Sequence, residues 1–91
     1  MGTSASLETK YLKTLDDLFF AVARRRVEQD ERFGGPRHDD THTRQEWADL
    51  IVAHTQAAVD AAYYPAFEPE MFDVAGLALA AIASARRKAS E

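Results

Sequence analysis

Three groups of side chains have types and spacings that chemistry can use. The densest is His38-Asp39-Asp40-x-His42. Hard divalent ions take carboxylate oxygens and imidazole suits transition metals, so such a turn could hold a cation or touch a ligand. Its spacing matches no standard metal site, and the same aspartates could instead cap the next helix or tie the turn by bonding backbone amides. In the second group, Glu70-x-x-Asp73, two carboxylates share one helical face and could share a magnesium ion. The alternative is negative charge complementing the helix dipole. The third group is cationic: Arg24, Arg25 and Arg26, with Arg32 and Arg37 nearby, could grip phosphates through bidentate forks. Glu28, Asp30 and Glu31 offer them ordinary intrahelical partners instead. His54 falls on an apolar helical stripe, which favours a satisfied core histidine over a ligand or base. Trp47, Tyr63, Tyr64 and Phe67 could stack a base or fill the core. The candidate ligand contacts are Arg24, Arg25, Arg26, Arg37, His38, Asp40 and His54, and the candidate metal ligands are Glu70 and Asp73.

These residues sit in a chain of 91, one small domain that buries little more than about 60% of the surface its unfolded form exposes. Help from a partner subunit is therefore expected. Fifteen acidic residues against 11 Lys and Arg give a net charge of −4, which argues against general nucleic-acid binding by phosphate neutralisation. With no cysteine there are no disulfides, thiolate zinc sites or cysteine nucleophiles. The opening Met-Gly-Thr-Ser-Ala-Ser lacks the basic-then-apolar order of a secretion signal. The apolar run from Val74 to Ala85 is too short for a bilayer, which needs about 20 residues. The expected location is the cytoplasm, that of the host if the chain is phage-encoded.

Periodicity supplies the elements. Residues 1–6 read as a disordered N-terminus, with Ser4 or Ser6 able to cap the first helix, and residues 7–89 as a single helical domain. That first helix is expected from about Leu7 to Phe33, on a stripe of Leu7, Tyr11, Leu15, Leu18 and Val22. Gly34 and Gly35 can take positive φ and close it, and Pro36 forbids its continuation. Thr43-x-x-Glu46 is a capping box for a second helix, Arg44 to Tyr64, ended by Pro65. Pro69 suits the first position of a third helix, running to Lys88. Its uncharged middle makes it the expected most-buried element, and Ala75, Gly76, Ala78, Ala80 and Ala81 would let another helix approach closely. Second apolar stripes, Phe20-Ala23-Val27 and Val52-Val59-Tyr63, require further neighbours. The fold class is all-α: a three-helix chain completing a helical bundle by homo-oligomerisation.

The run Arg26-Val-Glu-Gln29-Asp30-Glu-Arg32-Phe33-Gly34 precedes the His-Asp-Asp turn, a Trp-led second helix and a closing Phe-Asp-Val-Ala-Gly-Leu-Ala-Leu-Ala-Ala-Ile helix. Over about residues 22 to 87 this order resembles small phage and prophage proteins related to the MazG-like all-α nucleoside triphosphate pyrophosphohydrolases. The resemblance implies dimeric or tetrameric bundles that cleave between α and β phosphates, with magnesium held by an E-E-x-x-E helix and an E-x-x-D helix. Glu70 and Asp73 match the second motif. The first is missing: no carboxylate lies between Asp49 and Asp60, which are roughly 16 Å apart along a helix and cannot share an ion.

No complete catalytic signature is present. The expected function is a non-catalytic, nucleotide-binding phage-type protein that sequesters a host nucleotide signal, with magnesium as a possible cofactor. One alternative is a magnesium-dependent MazG-like pyrophosphohydrolase using Glu70, Asp73 and a rearranged set from His38, Asp40 or Glu46. Another is a protein-protein interaction module working through the second apolar stripes.

Overall fold

The computed structural model describes residues 2–61 and 66–90, with side chains from residue 7 onward. Tyr63 and Tyr64 of the candidate stacking set, and the helix-ending Pro65, lie outside the described residues. The elements are α1 (Gly2–Phe33), α2 (Gly35–Asp39), α3 (Arg44–Asp60) and α4 (Phe67–Ala89). The all-α expectation holds, and the count of three helices is corrected to four among the described residues. α4 packs against each of the other three. No described helix is long and apolar enough to cross a membrane.

α1 begins at Gly2, ahead of the Leu7 expected, because no proline interrupts Thr3 to Ser6 and the helical backbone runs through them. The helix stops where foreseen: Gly34 and Gly35 take φ of 101° and 68°. The next segment is helical rather than a loop. The two glycines reverse the chain, and Pro36, whose fixed φ and missing N–H suit a first turn, starts α2 instead of only ending α1.

The capping box is present: Thr43 Oγ1 accepts from the Glu46 amide at 3.1 Å, and Glu46 Oε1 accepts from the Thr43 amide at 3.0 Å. α3 ends at Asp60, short of the expected Tyr64, with Ala61 already extended. α4 starts two residues early, at Phe67, so Pro69 is its third residue. Proline is tolerated there because first-turn amides lack intrahelical partners in any case.

α4 is not buried all round. Its buried positions are Gly76, Ala80 and Ser84, four apart on one face, while Leu79 and Ile82 are exposed. α1 comes close to α4 at Gly76: a Cβ there would lie 2.7 Å from Gln29 Oε1, so the glutamine side chain would have to shift. The buried interior is small and half polar: Trp47, Ala58 and Ala80 with Gln29, Asp39 and Ser84, the last 1% exposed. Tyr11, Leu12, Leu18, Phe19, Phe20 and Val27 of α1 are exposed, as are Val52 and Val59 of α3. The radius of gyration, 16.0 Å, exceeds the about 12 Å of a compact chain of this length.

α2 is fastened to α4 through Asp40. Its carboxylate accepts from Ser84 Oγ at 2.8 Å and from Arg87 Nη2 at 2.8 Å and Nε at 3.1 Å. The Arg87 hydrogen bonds, then the Ser84 hydroxyl, hold the Asp40 carboxyl below its ordinary value. The Thr43 amide, then its hydroxyl, do the same for Glu46. A depressed folded pKa contributes stability that is whole above the unfolded carboxylate pKa of about 4 and is lost as pH falls through the lower folded value. Melting temperature is therefore expected to fall as pH drops below about 4, and more shallowly in Asp40→Asn. Parallel acid titrations of the two proteins check this, and equal slopes would refute the clasp.

Candidate functional site

The Glu70 and Asp73 carboxylates project from the first two turns of α4, one turn apart, toward α3 and α1. α3 brings His54 to them: Nδ1 donates to Glu70 Oε2 over 3.3 Å. His54 is thus half-exposed and paired to a carboxylate, not a buried core residue. One ligand atom from each of His54, Glu70 and Asp73 can be chosen so that all lie within 4.8 Å of one another. A cation about 2.1 Å from each donor spans pairs up to about 4.2 Å apart, so seating one requires a contraction of several tenths of an ångström.

One imidazole and two carboxylates suit manganese, iron or zinc better than magnesium, which favours oxygen donors and its own waters. Magnesium fits only the two carboxylates, with His54 left as their hydrogen-bond partner. A metal on Nδ1 would take the place of the His54–Glu70 hydrogen bond.

α1 closes the other side. Arg25 Nε lies 3.6 Å from Asp73 Oδ1, and its Nη1 lies 3.8 Å from Glu28. Gln29, 8% exposed, reaches the Asp73 carbonyl and carboxylate from Nε2 at 3.4 and 3.5 Å. Beside them a cavity of about 300 Å³ is lined by Phe20, Ala21, Arg24, Arg25, Glu28 and Phe72. The surroundings of the carboxylates are therefore cationic on one side and aromatic beyond.

The candidate residues do not converge on one place. Arg24, Arg25, His54, Glu70 and Asp73 gather at the start of α4. Arg26 turns inward, where it pairs with Asp30 and Asp39 and donates to Gln29 Oε1 at 3.2 Å. Asp39 and Asp40 tie the turn down through arginines and a serine, not through backbone amides. Asp40 sits on Ser84 and Arg87, 11 and 14 residues along α4 from Asp73, or roughly 16–21 Å away. Arg37 and His38 are exposed on α2, and the His38 ring meets His42 edge-on at 4.9 Å. Glu46 is occupied by its cap. The rearranged set of His38, Asp40 or Glu46 is thus not brought to Glu70 and Asp73.

Sequence reasoning passed over Gln29, Ser84 and Arg87. A signal for Gln29 existed, since the stripe Leu15, Leu18, Val22 continues at steps of four and three into Arg26 and Gln29. An inward helical position with a polar residue must find a partner. Compared with protein-family models, with curated proteins and with solved structures, the chain matches none.

Proposed function

We propose that this chain is a nucleotide-binding helical homo-oligomer that holds its ligand through a divalent cation and arginines and releases it unchanged. In a phage setting it would sequester a host nucleotide signal. The observation that carries the reading is the convergence of His54, Glu70 and Asp73 with Arg25 alongside. A cation on those three donors and the guanidiniums of Arg24 and Arg25 would present adjacent positive charges to phosphate oxygens. Phe20 and Phe72, which line the same cavity, offer apolar faces to a base. The resemblance of Glu70-x-x-Asp73 to the second MazG-like motif points to the same ligand class.

Binding without cleavage is favoured because only two carboxylates gather at the cluster among the described residues. Phosphoryl chemistry needs its developing charge neutralised from several directions. When bound, the cation would supply electrostatic attraction for phosphate, while Arg25 and Gln29 keep Asp73 in place. Self-association is supported by the row of exposed apolar side chains on α1, which a second copy would cover.

The test is a thermal-shift panel of nucleoside triphosphates, dinucleotides and cyclic nucleotides, with manganese, magnesium or chelator, followed by recovery of the ligand. At a hundredfold excess over Kd a ligand stabilises by about 2.7 kcal/mol, a shift on the order of 10 °C for a domain of this size. The expected result is such a shift, cation-dependent, with the nucleotide recovered intact. No shift from any of them would sink the proposal, and recovery of monophosphate with pyrophosphate would replace it with the hydrolase.

A further inference from the structure

A larger cavity, about 490 Å³, lies at the other end of the α3–α4 pair, in the size range of small-molecule pockets. Trp47 is seven residues from His54 on α3, and Lys88 is 15 from Asp73 on α4. The two places are thus about 10 Å apart along one helix and 22 Å along the other. We infer that this pocket is a second, independent binding site for a planar aromatic anion of the nucleoside monophosphate class.

One wall is aromatic. The His42 and Trp47 rings lie 4.7 Å apart, tilted by 33°, and both line the cavity, so a ring entering it meets aromatic surface. The α4 side is flat and apolar, because Ala81, Ala85 and Ala89 recur every fourth residue on one face. Two cations line the cavity. Lys88 spends one of its three ammonium protons on the His42 carbonyl at 2.8 Å. Arg44 is the first residue of α3, whose amino end favours negative charge. The acidic groups nearby are already occupied, Asp40 by Arg87 and Ser84, and Glu46 by Thr43. Arg87 offsets the charge of Asp40, whereas Glu46 keeps its own, so Arg44 and Lys88 against Glu46 leave a net positive charge beside the cavity, and the complementary ligand is a ring carrying an anion.

Trp47 is the only tryptophan, so its fluorescence reads this pocket directly. The experiment titrates the intact chain, in chelator, with AMP, GMP, CMP and UMP, and with adenosine and inorganic phosphate as the separate halves. At least one monophosphate is expected to change Trp47 emission saturably, and each half to bind at least about tenfold more weakly, the worth of a charged hydrogen bond. Arg44→Ala with Lys88→Ala should weaken the response by about tenfold or more. Ala85→Leu, at an exposed position, should fill the cavity and remove it. Glu70→Ala should leave it intact, which separates failure here from failure at the carboxylate cluster. Silence from all four monophosphates, or an unweakened response in the double variant, overturns the inference. So does an emission that changes with protein concentration alone, which would mean that a second copy occupies the pocket.

Discussion

Arg26→Met is expected to destabilise the fold by about 3 kcal/mol, the cost of removing one partner from a nearly buried ion pair. That corresponds to a loss of roughly 10–20 °C in melting temperature for a chain of this length. Arg26 is held between two carboxylates, Asp30 on its own helix and Asp39 on α2, and also donates to Gln29. Its side chain is 15% exposed and that of Asp39 9%, so neither charge can turn to water without moving α2. Methionine keeps the apolar stem but strands Asp39, and a buried carboxylate with no partner costs more than the pair contributes. Arg26→Lys should fall between the two proteins, because an ammonium cannot fork across two carboxylates. Adding Asp39→Leu to Arg26→Met should restore part of the loss, since both charges are then gone. Thermal and urea unfolding of the four proteins decides it. If Arg26→Met melted with the parent, the ion pair would not be what holds α2 against α1.

The same arginine shows where sequence reading stops. Helix-stop and helix-start signals work through neighbours a few residues apart, so Gly34-Gly35 and Thr43-x-x-Glu46 could be read directly, and both behave as their chemistry requires. Three adjacent arginines look alike in sequence, but on a helix they point about 100° apart. Arg24 ends beside the cavity, Arg25 at Asp73 and Arg26 inside. Which one turns inward depends on where α4 crosses α1. At that crossing Gln29 meets Gly76, 47 residues away in the chain. Likewise Glu70 and Asp73 were legible as a pair, being one turn apart, whereas His54 joins them only through the packing of α3 on α4. Its position on an apolar stripe suggested a core residue, but that stripe faces a helix whose facing residues include a carboxylate. Asp40 shows the same limit: an acidic turn could meet a ligand or tie itself down, and the arginine and serine that receive its carboxylate, Arg87 and Ser84, lie more than 40 residues away in the chain.

Asp73→Asn should separate a ligand-holding role from a structural one. Asp73 receives Arg25 and Gln29 from α1 and shares the cluster with His54 and Glu70. Asparagine has the same shape and keeps an oxygen for Gln29 to donate to, so the packing of α1 on α4 should persist. It also removes a like charge one turn from Glu70, a repulsion worth a few tenths of a kcal/mol in a helix. Against this stand the lost Arg25 ion pair and the lost negative charge near the start of the helix, each also worth a few tenths of a kcal/mol, so the cation-free variant is expected to melt within a few degrees of the parent. Cation affinity should nonetheless fall by at least the 10- to 100-fold that loss of even a supporting partner costs at a metal centre, here about 100-fold. Nucleotide binding should fall with it. His54→Ala should divide the cations, weakening manganese or zinc strongly and magnesium little, because only the former make use of the imidazole. Titration calorimetry with each ion, alongside melting in chelator, gives both readings from the same preparations. A variant that lost stability in chelator but kept its cation would make Asp73 a strut between α1 and α4. One that kept both would leave the carboxylate pair as no more than negative charge at the head of a helix.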